Sequence, residues 1–183
     1  MLVTSILLPI AAVLASIGAV QAVPAAGNRT AELVILETQP APGGGTLNFW
    51  GLPVGAVPRA EIQELSAPES GLAKRCGGTN VECDFSNNRA DASVCNQLIN
   101  AIDGNTSPIG SNQRSVCLNL DNGGQCCISW NPGSNFPLGA LRDPARKTWN
   151  NCRSSGLVSG RTVDTTIGTA CGIQCLSNRS TGC

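Results

Sequence analysis

The chain of 183 residues contains no histidine and no tyrosine, with one methionine, three tryptophans and three phenylalanines. The missing histidine removes the commonest general base, the usual zinc ligand and the middle member of Ser/His/Asp or Cys/His nucleophile systems. Charge is scarce too, and 12 cations balance 12 anions. A neutral chain lacks the clustered cations from which a nucleic-acid binder draws its affinity, so no nucleic-acid partner is expected. No Gly-x-Ser-x-Gly elbow occurs, which leaves serine hydrolysis without its usual nucleophile turn. What the chain has in quantity is glycine, at 21, and cysteine, at 10.

Residues 2–20 are almost wholly apolar or small, and Val20-Gln21-Ala22 puts small residues where signal peptidase requires them. Segment 1–22 therefore reads as a signal peptide cleaved after Ala22. Pro9 interrupts the run and no cationic stop-transfer cluster follows it, so secretion is expected and stable membrane insertion is not. Sequons at Asn28, Asn105 and Asn178 fit a glycosylating secretory route.

The cysteines divide the rest. None lies in residues 23–75, which hold six prolines and the Gly43-Gly44-Gly45 run, with one short apolar stretch at residues 33–36 able to form a strand. That composition reads as a linker or pro-segment that cannot bury enough apolar surface to offset chain entropy. It ends in Lys74-Arg75, a dibasic pair of the kind cut by Kex-type endoproteases, placed on the composition break that marks an exposed linker. Residues 76–183 would then form the mature domain, with eight cations, seven anions and all ten cysteines.

Cys76, Cys83, Cys95, Cys117, Cys126, Cys127, Cys152, Cys171, Cys175 and Cys183 are an even set in an exported chain, so five disulfides are expected. A metal site is not, because histidine and C-x2-C pairs are both missing. The sequence leaves the pairing open apart from one local constraint. Cys126 and Cys127 are adjacent, and in a strand their side chains point to opposite faces, so they should bond different partners.

Asp91 can cap a helix over residues 91–103 with Val94, Cys95, Leu98, Ile99 and Ile102 on one face, which places Cys95 to pin the helix to a sheet. Residues 114–120 and 125–130 flank Asp121-Asn122-Gly123-Gly124, a hairpin signature. Asp143 and Pro144 predict a second helix to about Arg153 with Ala145, Trp149 and Cys152 inward. Residues 161–167 and 173–176 read as further strands. The expected fold class is α+β: a small disulfide-rich sandwich, an antiparallel sheet of about four strands with two helices on it.

Three segments carry a resemblance: Arg114-Ser115-Val116-Cys117-Leu118, Cys126-Cys127-Ile128-Ser129-Trp130, and Cys171-x3-Cys175-Leu176-Ser177-Asn178-Arg179 with Gly182-Cys183. In this order they resemble the secreted fungal proteins known as WD-like domain proteins, over about residues 76–183. The resemblance implies fungal origin and secretion and carries no established activity. Nothing suggests a WD40 propeller, since no repeat of about 40 residues is present. In size and cysteine density the chain also resembles, more loosely, KP4-type killer toxins and other cysteine-rich fungal effectors.

Candidate chemistry is thin. Glu82 and Asp84 would share one face of a strand, and paired carboxylates can hydrolyse glycosides. Arg142, Arg146 and Arg153 project beside Trp149 on the second helix, a cationic edge able to meet anionic lipid or wall polysaccharide, or to cover the rim of the core with arginine stems. The expected function is binding, as an effector-like or wall-associated protein, with no catalytic residues and no cofactor. Its expected partner is cell-wall polysaccharide or a host or competitor surface component. A growth-inhibiting toxin and a carboxylate-dependent polysaccharide hydrolase are the alternatives.

Overall fold

The computed structural model describes residues 32–54, 76, 80–84, 86–131 and 135–182. In chain order its elements are β1 (Val34–Pro40), β2 (Thr46–Gly51), β3 (Asn80–Cys83), β4 (Ala90–Asp91), α1 (Ala92–Ala101), β5 (Pro108–Ile109), β6 (Gln113–Asn119), β7 (Gln125–Asn131), β8 (Phe136–Pro137), a 3-10 turn (Leu138–Leu141), α2 (Arg142–Cys152), β9 (Arg153–Ser154), β10 (Leu157–Val158), β11 (Gly160–Ile167) and β12 (Ala170–Ser177). Seven strands form one antiparallel sheet in the order β1-β2-β6-β7-β12-β11-β3. Both helices pack on one of its faces. The class is α+β as expected, but the sheet has seven strands rather than about four. β1, β2 and β3 are the additions.

The central hairpin follows from its turn. Gly123 takes a positive φ of 88°, and Asn122 Oδ1 accepts a hydrogen bond from the Gly124 amide at 3.1 Å, so the chain reverses and pairs Asn119 with Gln125. On either side of the turn, Val116 and Leu118 from β6 and Ile128 and Trp130 from β7 enter the core. Helix α1 closes over them. Asp91 is its N-cap, with Oδ1 accepting from the Ser93 amide at 2.7 Å, and Val94, Cys95, Leu98 and Ile99 are buried. Helix α2 starts at Arg142, one residue before the expected cap, because the turn Leu138–Leu141 runs straight into it and Leu141 stands at the cap position without a side-chain hydrogen bond. Pro144 is still tolerated, since the amides of a helix's first turn have no intrahelical acceptor to lose.

The disulfides fasten these layers. Cys95–Cys126 pins α1 to β7, Cys83–Cys152 pins α2 to β3, and Cys117–Cys127 links the directly opposed positions of β6 and β7 on the other face. Adjacent Cys126 and Cys127 thus take different partners. Cys76–Cys171 holds residue 76 against β12. Cys175 is also disulfide-bonded, and Cys183 lies outside the described residues.

Within residues 23–75, read above as linker or pro-segment with one strand-forming stretch at 33–36, residues 34–51 join the sheet. β1 and β2 form a hairpin whose turn contains Gly43, Gly44 and Gly45, all at positive φ. β2 pairs with β6, and Leu47 and Phe49, exposed by 3% and 4%, belong to the core. Proline and glycine content hid the strand because its inward positions read Leu47, Phe49 and Gly51, with Gly45 just before it, so only two carry an apolar side chain. Both glycines are required. A Cβ at Gly45 would stand 2.4 Å from the Asn119 carbonyl oxygen, and one at Gly51 2.3 Å from that of Asn112.

Replacing both Cys95 and Cys126 by serine frees α1 from the sheet and is expected to lower unfolding free energy by about 2–4 kcal/mol. The denaturant midpoint of the double variant, compared with wild type under non-reducing conditions, measures the loss.

Candidate functional site on the helix-free face

The face of the sheet opposite the helices is built by the same alternation that fills the core. Register aligns Ile35, Trp50, Ser115, Ser129, Cys175, Arg161 and Glu82 in one row across all seven strands. The row is apolar at one end, polar and uncharged in the middle, and charged at the other end. There Arg161 donates through Nε and Nη2 to Glu82 Oε2 at 2.7 and 2.6 Å, which neutralises both groups.

Beside the row lies an open groove of about 370 Å³, bordered by Leu33, Arg114, Ser129, Asn131, Ile173 and Thr181. Its wall is the segment after β12, which folds back on the sheet. Ser177 Oγ and Arg179 Nε both donate to the Gly182 carbonyl, at 3.1 and 2.8 Å. Arg114 turns its Nη1 to the carbonyls of Gln113 and Ser111. Burial holds its pKa below the ordinary value, although a guanidinium stays protonated at any working pH. Ile173 is 37% exposed. The groove therefore sets hydroxyls and the Asn131 amide, itself already engaged, next to aliphatic surface, with Arg114 hydrogen-bonded to carbonyls.

The arginine edge predicted on α2 does assemble, as a brace between the helices. Arg146 donates to Asn96 Oδ1 and Asn100 Oδ1 at 2.6 and 2.7 Å, one turn apart on α1. Trp149 Nε1 donates to the Ala92 carbonyl at 2.8 Å while its ring packs on the core. Arg153 lies 4.1 Å over that ring, and Arg142 pairs with Asp143 at 2.6 Å and Asp103 at 3.5 Å. Arg146 is thus engaged between the helices, while Arg142 stays half-buried in its ion pairs and Arg153 exposed over the Trp149 ring.

The two carboxylates of the hydrolase reading both border a shallow pocket with Cys83, Gly160 and Arg161, but each is engaged within the fold. β3 ends at Cys83, so Asp84 leaves the strand and accepts from the Ser86 amide, the Ser86 hydroxyl and the Asn87 amide at 2.9, 2.8 and 3.1 Å. These hydrogen bonds hold its pKa below the ordinary carboxylate range. Of the sequons, Asn105 is half-buried and Asn178 is exposed on the folded-back segment. Asn28, Ala22, Lys74 and Arg75 lie outside the described residues. Among the described residues no cluster of His, Cys, Asp or Glu could hold a metal ion, and no helix is long and apolar enough to cross a membrane.

A family model described as Fungal WD-like matches residues 61–183. The chain belongs to the fungal WD-like family. For this WD-like chain, the match begins 15 residues before Cys76 and so takes in Lys74-Arg75. Comparison with curated proteins and with solved structures returned no match. Sequence reasoning missed the groove because it is a property of strand order. The outward alternation Cys127, Ser129, Asn131 against inward Cys126, Ile128, Trp130 was the available signal.

Hydrogen bonds donated to its carboxylate by the Ser93 hydroxyl first and the Ser93 amide second hold Asp91 below the ordinary carboxylate pKa. A carboxylate depressed in the folded state contributes stability above its unfolded pKa and loses it as pH falls through the lower folded value. Asp91→Asn keeps the cap but cannot titrate, so its stability should fall less steeply than wild type below about pH 4, whereas Asp91→Ala should lose about 1 kcal/mol at neutral pH. Unfolding midpoints measured from neutral to acid pH separate the two.

Proposed function

We propose that this chain is a secreted fungal protein that acts by binding, either associated with the cell wall or effector-like, and that its ligand lies in the groove on the helix-free face. The observation that carries the reading is the lining of the groove: Ser129, Asn131 and Thr181 beside Leu33 and Ile173. A neutral sugar has the matching surface, with hydroxyls around its edge and C–H faces above and below. A pocket of a few hundred Å³ with few charges suits such a ligand. Wall polysaccharide is therefore the first partner to test, ahead of a host or competitor surface component.

Export rests on the leader ending at Ala22 and on the disulfides, which persist in oxidising compartments. We place processing after Arg75 and glycans at Asn28, Asn105 and Asn178 in the same route. The carboxylate hydrolase has less support, because Glu82 is ion-paired with Arg161 and the Asp84 carboxylate is taken up by hydrogen bonds from Ser86 and Asn87, which lower its pKa. A growth-inhibiting toxin would use the same exposed face without catalysis.

Purified chain should co-sediment with at least one of insoluble β-glucan, chitin and mannan, and Ile173→Asp should reduce the bound fraction about tenfold with the far-ultraviolet dichroism unchanged. Arg146→Lys, on the opposite side of the sheet, should bind as wild type. Equal binding by Ile173→Asp would contradict the placement of the ligand, and growth inhibition of fungal cells without sedimentation would favour the toxin.

A further inference from the structure

Two modes of attachment meet at the dibasic pair. Every cysteine lies at or after position 76, and the bridges tie residue 76 to β12, β3 to α2, and α1 and β6 to β7. The β1–β2 hairpin is joined to that body by strand pairing and side-chain packing alone, apart from the chain that leads from it to Cys76. On one side of Lys74-Arg75 the first residue, Cys76, is bonded to Cys171 on β12. On the other side β2 forms a six-position ladder with β6, and the Leu52 amide extends it to the Asn112 carbonyl at 3.0 Å. Both flanks of the pair are anchored before any cut is made.

The contact between β2 and β6 is also selective. The inward positions of β2 are Leu47, Phe49 and Gly51, and Gly45 precedes the strand at the end of the turn. Leu47 and Phe49 fill sites in the core beside Leu118 and Val116, their register partners. Gly45 and Gly51 let the backbone pass over the Asn119 and Asn112 carbonyls, where a Cβ would collide. Gly45 has in addition a φ of +80°, which other residues rarely adopt. Backbone hydrogen bonds supply affinity in such strand addition, and alternate side chains supply specificity.

We propose that the β6 edge is a strand-binding site for the pattern Gly-x-Leu-x-Phe-x-Gly, and that its occupant in the processed protein is the chain's own amino-terminal segment, retained without a covalent link. Hydrolysis of the Arg75–Cys76 peptide bond by a dibasic-specific endoprotease consumes one water, leaving a carboxylate on Arg75 and an amino group on Cys76. The product is a two-chain particle. Without the hairpin, β6 would present a row of unpaired amides and carbonyls and uncover Val116 and Leu118, a surface that invites pairing with other strands. The inference rests on the processing reading for its biological setting, and the test separates the two.

Full-length secreted protein is weighed under denaturing, non-reducing conditions, before and after treatment with an endoprotease that cuts after basic pairs, and again under native conditions. The denaturing mass before treatment reports whether cells cut at Arg75, which is the processing reading alone. In the cut protein the native mass should equal both chains together. A labelled peptide spanning residues 32–52 should exchange into the cut particle, and the same peptide carrying Phe49→Asp should compete at least about 100-fold less well. Because the substitution is made in the peptide, folding of the protein is not at issue. A native mass of residues 76–183 alone, a dimer of that fragment, or equal competition by the Phe49→Asp peptide would overturn the proposal.

Discussion

The dipeptide Cys126-Cys127 in the middle of β7 is the constraint on which the rest of the structure depends. Strand alternation sends the two sulfurs to opposite faces. One reaches Cys95 and holds α1 over the core, and the other reaches Cys117 and ties β7 to β6 on the face without helices. All four cysteines are fully buried. A domain with few aromatics and little charge has a modest core to rely on, and cross-links that restrict the unfolded chain contribute what the core does not. The position of α1 over the core and the tie between β6 and β7 on the opposite face both follow from this one pair.

Fastening is uneven along the chain, and the unevenness has a functional meaning. Between Cys76 and Cys175 covalent bridges recur. The hairpin of β1 and β2 completes the same sheet and the same core with Leu47 and Phe49 but carries no cysteine. Strand pairing can be undone and remade, whereas a buried disulfide in an oxidising compartment is kept. The helix-free face, bounded at one end by that hairpin and at the other by the Arg161–Glu82 pair, is therefore rigid in its centre and exchangeable at one edge.

Much of the fold was legible in the sequence wherever a local rule was sufficient. The Asp91 cap, the Asn-Gly turn at Asn122 and the apolar periodicity of α1 each appear in the structure, because each depends on neighbours within a few residues. What escaped required knowledge of distant partners. The hairpin at residues 34–51 was masked by glycines that serve as buried positions against β6. Arg146 of α2 was visible as a cation, but its acceptors Asn96 and Asn100 lie on the other helix. The groove exists only because β12 is placed beside β7, and sequence order gives no hint that strands so far apart are neighbours.

The architecture depends most directly on how the adjacent cysteines are paired. Peptide mapping of unreduced protein, with fragmentation between residues 126 and 127 to separate the two sulfurs, assigns each a partner. The structure predicts Cys95 linked to Cys126 and Cys117 linked to Cys127. The crossed arrangement, or a bond between Cys126 and Cys127 themselves, would contradict it.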